Sequence, residues 1–147
     1  MLFTSEQVSS GHPDKICDQI SDAIVTDCLL NDRDSRVAVE CMIKDYDITI
    51  AGEITSSHTP DFKDLTYSVL AGIELPNIEQ YTVNRLISKQ SPDIALGVDQ
   101  QGAGDQGMMF GYATNETREM LPVPFVLATA ALERLKGTDV MAFDGAD

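Results

Sequence analysis

A chain of 147 residues, 43% of them hydrophobic, is long enough for about one domain with a real apolar core. Its 24 acidic against 10 basic residues leave a net charge of −14, which argues against nucleic acid or an anionic membrane as partner. The same balance suits a polyphosphate ligand only if positive charge comes from elsewhere.

Residues 2 to 8 read as a short strand leading into a helix over 13 to 31. In that helix Ile16, Ile20, Ile24 and Cys28 recur every four residues, with Cys17, Ala23 and Leu30 widening the stripe and Asp18, Gln19, Asp22 and Asp27 on the other face. Gly11-His12-Pro13-Asp14-Lys15 opens it, and Pro13 suits the first helical position, where its missing N–H costs nothing. The free N–H groups of that turn and the helix dipole favour an anion in front of them. His12 would be aimed at that anion, and Asp14 could hold a divalent cation bridging to phosphate oxygens. Alternatively, Asp14 only complements the dipole and His12 only caps the helix; five residues leave both readings open. The His-Pro-Asp tripeptide also marks J-domain cochaperones, which need a basic helix before it, and only eleven residues precede His12.

After the turn at 31 to 35, a strand places Val37, Val39, Cys41 and Ile43 on one face and Ala38, Glu40, Met42 and Lys44 on the other. A second strand sets Ile48, Ile50, Gly52 and Ile54 against Thr49, Ala51, Glu53 and Thr55. If Asp45-Tyr46 is a two-residue turn, Glu40 lies opposite Ala51 and Glu53 is its diagonal neighbour. Two carboxylates on one face repel unless a cation or a ligand amine sits near them; the alternative is an ordinary solvated sheet face. Cys17, Cys28 and Cys41 are odd in number, lie on apolar faces and lack C-x-x-C spacing, so they read as reduced core residues of a cytosolic protein and argue against zinc. No signal peptide is evident, and the longest apolar stretch, Leu121 to Leu132, is short and proline-broken for a bilayer.

Thr59-Pro60-Asp61 opens a second helix with Phe62, Leu65, Val69, Leu70 and Ile73 as its buried stripe, and His58 before it reads as a surface or capping histidine. Thr82 to Ser88 makes another strand. Five of the ten glycines then fall at 97, 102, 104, 107 and 111, introduced by Lys89-Gln90-Ser91-Pro92-Asp93. So long a glycine-rich stretch reads as a mobile loop over a site or, alternatively, a surface excursion. Gly102-Ala103-Gly104-Asp105-Gln106-Gly107 matches the dinucleotide fingerprint G-x-G-x-x-G, but no strand precedes it and Met108 to Ala113 reads as a strand rather than a helix, so a Rossmann site is rejected. Pro122 or Pro124 begins a last helix, apolar on most sides through Phe125, Val126, Leu127, Ala130, Ala131 and Leu132 and closed by Lys136-Gly137. Such a helix calls for a partner subunit or further sequence to cover it.

Taken in order, Phe3-Thr4-Ser5-Glu6, Gly11-His12-Pro13-Asp14-Lys15, Val39-Glu40, Gly52-Glu53-Ile54-Thr55, Lys89 to Ile94, Gly97-Val98-Asp99, Gly102 to Gly107 and Phe110 to Thr117 resemble the amino-terminal part of the S-adenosylmethionine synthetases, or methionine adenosyltransferases. The resemblance covers nearly the whole chain and is vague only from Lys136 to Asp147. It implies an α/β (α+β) fold in which mixed sheets and helices repeat about a pseudo-threefold axis, incomplete over 1–147 and built from pieces of more than one structural unit. It implies a cytoplasmic enzyme in which methionine sulfur attacks C5′ of ATP and displaces triphosphate, which is cleaved to pyrophosphate and phosphate. By resemblance His12 steadies the leaving triphosphate, Asp14 is a magnesium ligand, Glu40 a potassium ligand, and Glu53 meets the methionine amino group. Gln90 contacts methionine, Asp105 lies in the methionine and nucleotide site, Asp147 leads into a nucleotide segment, and Glu6 resembles a nearby active-site acid. Residues 89–107, with Gln90, Gly97, Gly102 and Gly104, match the flexible loop of the active site, shorter here after Asp99 than in common bacterial members. Magnesium, potassium, ATP, methionine and a dimer or tetramer are the implied cofactors, substrates and partners. The family's triphosphate-clamping lysines and arginines lie beyond this segment, which explains the acidic balance. The implied chain is therefore active only when complemented by the carboxy-terminal part, or else is a non-catalytic module that binds synthetase subunits.

Overall fold

A computed structural model describes residues 2–89 and 106–136. The four-residue repeat of Ile16, Ile20, Ile24 and Cys28 becomes the buried stripe of α1 (Pro13–Asn31). β1 (Arg36–Lys44) and β2 (Asp47–Thr55) pair antiparallel from Arg36 opposite Thr55 to Lys44 opposite Asp47, leaving Asp45-Tyr46 as a two-residue connection. Asp45 takes the left-handed conformation (φ 54°), which a short polar side chain tolerates, so an unfavoured turn sequence still closes the hairpin in the expected register. Tyr46 is held against Tyr81, ring centroids 5.1 Å apart and 75° between planes, and its carbonyl accepts the Thr82 N–H at 2.8 Å.

From β2 the chain crosses through α2 (Phe62–Gly72) and a 3-10 turn at Ile78–Gln80 to β3 (Thr82–Ser88), which runs parallel to β2. The sheet order is β1-β2-β3, with β2 central. Ile48 and Ile50 of β2 and Val39 of β1 meet the α1 stripe and Phe62 and Leu70 of α2 in one core. Each fully buried isoleucine contributes roughly 1.5–3 kcal/mol through the surface it removes from water. The expected stripe of α2 is present, with Leu65, Val69 and Ile73 half-buried around it. Thr66 is also buried, tolerated because its hydroxyl donates to the Phe62 carbonyl at 2.7 Å.

Two expectations are corrected on this side of the molecule. His58 is a partner of α1, its Nε2 lying 2.7 Å from Asp27 Oδ2 with both side chains mostly covered. Beside it the Asp32 carboxylate accepts from the Ser57 N–H at 2.7 Å and the Ser57 hydroxyl at 2.9 Å, so two acids near the end of α1 pin the loop before α2. The Ser57 donors, followed by the Asp34 N–H, hold the Asp32 carboxyl below the usual carboxylate range. Of the cysteines only Cys28 is a core residue, while Cys17 and Cys41 are half-buried; all three are free thiols.

The chain divides into two compact units, 10–106 and a second formed by 1–9 with 107–147. In the second, neither residues 2–8 nor Met108 to Ala113 form strands, contrary to their patterns. A strand needs a neighbour for its N–H and C=O groups, and neither segment has one among the described residues. Leu2, Phe3, Met108, Met109, Phe110 and Tyr112 are accordingly exposed. α3 (Val123–Lys136, the last helix) forms as expected, its Val123 N–H donating to Glu116 Oε2 at 3.3 Å. Gln7 ties the amino-terminal residues to it through the Thr129 hydroxyl at 3.2 Å. Leu127 and Leu135 stay exposed. No helix among the described residues is long and apolar enough to cross a membrane.

Candidate functional site

His12 stands just outside α1 in an extended conformation (φ −65°, ψ 137°), and its carbonyl accepts the Ile16 N–H at 2.9 Å. Its Nδ1 accepts the Asp14 N–H at 3.2 Å, so the imidazole caps the helix. Capping and a role toward a ligand are compatible in this geometry. A ring nitrogen that accepts a hydrogen bond carries no proton, so the neutral imidazole so assigned keeps its hydrogen on Nε2. The Asp14 carboxylate, 3.9 Å from Nδ1, is 90% exposed and His12 39%, which leaves both side chains open to a ligand. Gln19 firms this turn by donating its amide to the carbonyls of Lys15 (2.8 Å) and Ser10 (3.2 Å).

Asp14, Asp18 and Ser21 follow one another along one side of α1, as spacings of four and three residues dictate. That side meets the outer edge strand β1, and a cavity of about 290 Å³ between them is lined by Asp14, Cys17, Asp18 and Ser21 from the helix and Glu40 and Cys41 from the strand. Asp14 and Glu40 therefore both border one cavity, Asp14 from the helix and Glu40 from the edge strand, where its side chain belongs to the opposite sheet face. The Ser21 hydroxyl donates to Cys41 Sγ at 3.4 Å. Burial pushes the Cys17 and Cys41 thiols up, with neighbouring Cys41 a lesser cause for Cys17 and Glu40 one for Cys41. Sequence reading placed these cysteines in the core; the signal for the cavity was the helical spacing from Asp14.

Glu53 opposes Ala38 and Glu40 opposes Ala51, so the two glutamates are diagonal neighbours on the sheet face away from the helices, roughly 7–8 Å apart. Glu40 is exposed and Glu53 half-buried, and Glu53 does not line the cavity. The residue before Glu53 is constrained: Gly52 has φ +142°, and a Cβ there would sit inside the envelope of the Ala38 carbonyl. Glu6 is exposed and belongs to the other unit. Gln90, Gly97, Gly102, Gly104, Asp105 and Asp147 lie outside the described residues.

No group of three or more His, Cys, Asp or Glu side chains among the described residues converges to hold a metal ion unaided. The carboxylates of Asp14 and Glu40 are hard oxygen donors of the kind such cations take, and would leave most coordination positions to water and ligand oxygens.

The model of the N-terminal domain of S-adenosylmethionine synthetase matches residues 1–92, and that of its central domain matches residues 100–142. An S-adenosylmethionine synthase of Akkermansia muciniphila is 43% identical over 152 aligned positions, covering 91% of this chain and 39% of the relative. Among solved structures, an unusual S-adenosylmethionine synthetase from Campylobacter jejuni superposes with a TM-score of 0.80 at 33% identity, covering 94% of this chain and 38% of that one. The chain thus spans about two fifths of the length of these relatives.

Proposed function

The chain belongs to the S-adenosylmethionine synthetase family, and from that premise we propose that it furnishes the acidic side of a site that transfers the adenosyl group of ATP to methionine sulfur. The single observation that carries this reading is the exposed His12–Asp14 turn opening α1, beside a cavity that Glu40 of β1 also borders. In this reading methionine sulfur displaces triphosphate from C5′ of ATP, and the triphosphate is cleaved to pyrophosphate and phosphate.

His12 donates from Nε2–H to the leaving triphosphate near the 5′ oxygen, where negative charge grows in the transition state. The cap at Nδ1 serves this by fixing the tautomer; a doubly protonated ring would lose the cap. Magnesium held through Asp14 and potassium held through Glu40 would supply positive charge against the polyphosphate. Glu53 receives the methionine ammonium, and Gln90 and Asp105 complete the methionine side, with Asp105 and Asp147 reaching the nucleotide. Glu6 is assigned as a further acid of the site.

The net charge of −14 supports the second half of the proposal: the cations that clamp triphosphate come from a carboxy-terminal part, joined to this chain or supplied in trans, within a cytoplasmic dimer or tetramer. The test is to combine this chain with the carboxy-terminal segment of a relative, ATP, methionine, magnesium and potassium, and to quantify S-adenosylmethionine. Product is expected from the mixture and none from this chain alone. A stable complex that makes no product would overturn the reading and leave a non-catalytic interaction module. In the active mixture His12→Asn should lower adenosyl transfer by roughly 10²–10³-fold while methionine affinity changes little.

A further inference from the structure

The geometry points to a second ligand site in the unit 10–106: the cavity between the start of α2 and β3 binds an oxyanion, a phosphate or carboxylate group, through Arg85 and Lys63. It begins with an arginine in an aliphatic pattern. Val83, Arg85 and Ile87 share one face of β3, and their partners Ile48, Ile50 and Gly52 show that this is the face the helices cover. Val83 and Ile87 pack against the core, while Arg85 stays exposed between them. Its guanidinium carbon rests 5.6 Å from the centroid of the buried Phe62 ring, at the first turn of α2. Lys63, the next residue of that turn, holds its Nζ 5.3 Å from the Tyr67 ring.

Both cations are thus steadied by ring faces, and among the described residues neither makes an ion pair with a carboxylate. In a chain with 24 acids and 10 bases, two unneutralised cations from different elements around one cavity of about 360 Å³ need an account. Thr59 adds a hydroxyl to the lining, and the volume admits a phosphate-sized group with part of its substituent.

The helix terminus itself is not the receptor, because Asp61 already occupies it: Oδ1 accepts the N–H groups of Lys63 at 3.1 Å and Asp64 at 3.0 Å. Asp61 also lines the cavity, so the formal charge there is two cations less one carboxylate, or +1, which matches a singly charged ligand group. A planar guanidinium presents paired donors to such a group. The competing account is that the Arg85 stem merely shields Phe62 from water.

Titrating the full chain with inorganic phosphate, and separately with acetate, at low ionic strength while following the backbone amide resonances of positions 59, 63 and 85 separates the two. A saturable shift is expected with at least one anion, weakened by added salt; phosphate alone assigns a phosphoryl ligand, and acetate alone a carboxylate. Arg85→Gln should weaken binding at least about tenfold, the loss of one charge-assisted contact. Asp61→Asn, which keeps an acceptor for the cap, should tighten it several-fold by removing the like charge. If Arg85→Gln fails to fold, Lys63→Gln takes its place. No saturable shift with either anion, or binding unchanged in both the cation and Asp61 variants, would overturn the site. The readout is anion binding at residues outside the adenosyl-transfer reading, so the two can fail separately.

Discussion

Gly52→Ala adds a methyl group where the structure leaves no room for one. Gly52 sits within β2 opposite Val39, at φ +142°, a conformation that L side chains avoid. Holding a residue in such a sparsely populated region costs about 1–3 kcal/mol. The added methyl would also press on the Ala38 carbonyl and the Val39 Cα, and both are backbone atoms of the paired strand that cannot rotate away. Overpacking of this kind costs a further 1–3 kcal/mol or so. Together these put the destabilisation at roughly 2–6 kcal/mol, a large part of the 5–15 kcal/mol typical of a domain. Urea unfolding followed by circular dichroism measures it as a lower midpoint at similar slope. Relief by bending β2 away from β1 would tilt the neighbouring Glu53, so methionine affinity of the complemented enzyme should fall as well. A midpoint shift corresponding to less than about 0.5 kcal/mol, within the range of innocuous surface changes, would refute the argument.

His58→Ala removes the 2.7 Å bond to Asp27 and should destabilise the chain by about 1–3 kcal/mol, the range for losing a charge-assisted hydrogen bond; an unchanged urea midpoint would show that the loop is held by Asp32 alone. Asp32 has its folded carboxyl below the unfolded value near 3.9, so its contribution is present above about pH 4 and lost as pH falls through the lower folded value. Asp32→Asn should therefore be less stable than the parent at neutral pH, the gap closing on acidification; a gap independent of pH would contradict this. Burial raises the Cys17, Cys28 and Cys41 thiols, so iodoacetamide near pH 8 should label all three far faster in urea than in the folded chain, Cys28 showing the greatest protection; mass spectrometry reads the order directly.

Periodicity in the amino-acid sequence by itself determined the helices at 13–31, 62–72 and 123–136, the hairpin and β3, because 3.6- and 2-residue repeats report which side of a segment must leave water. The Glu40–Ala51 register followed only on condition that Asp45-Tyr46 forms a two-residue turn, a condition the structure meets through the left-handed Asp45. Family membership was legible for a related reason, as the order of short motifs such as Gly11 to Lys15 is a property of the linear chain. The tertiary structure alone decided that Asp14 and Glu40 share a cavity, that His58 and Ser57 are held by Asp27 and Asp32, and that Arg85 projects from an aliphatic face beside Lys63. Those contacts join segments with no local signature in common, brought together only when α1 and α2 settle on the sheet. The strand patterns at 2–8 and 108–113 fail for the complementary reason: alternation can prepare a strand, but only a neighbouring backbone can complete it.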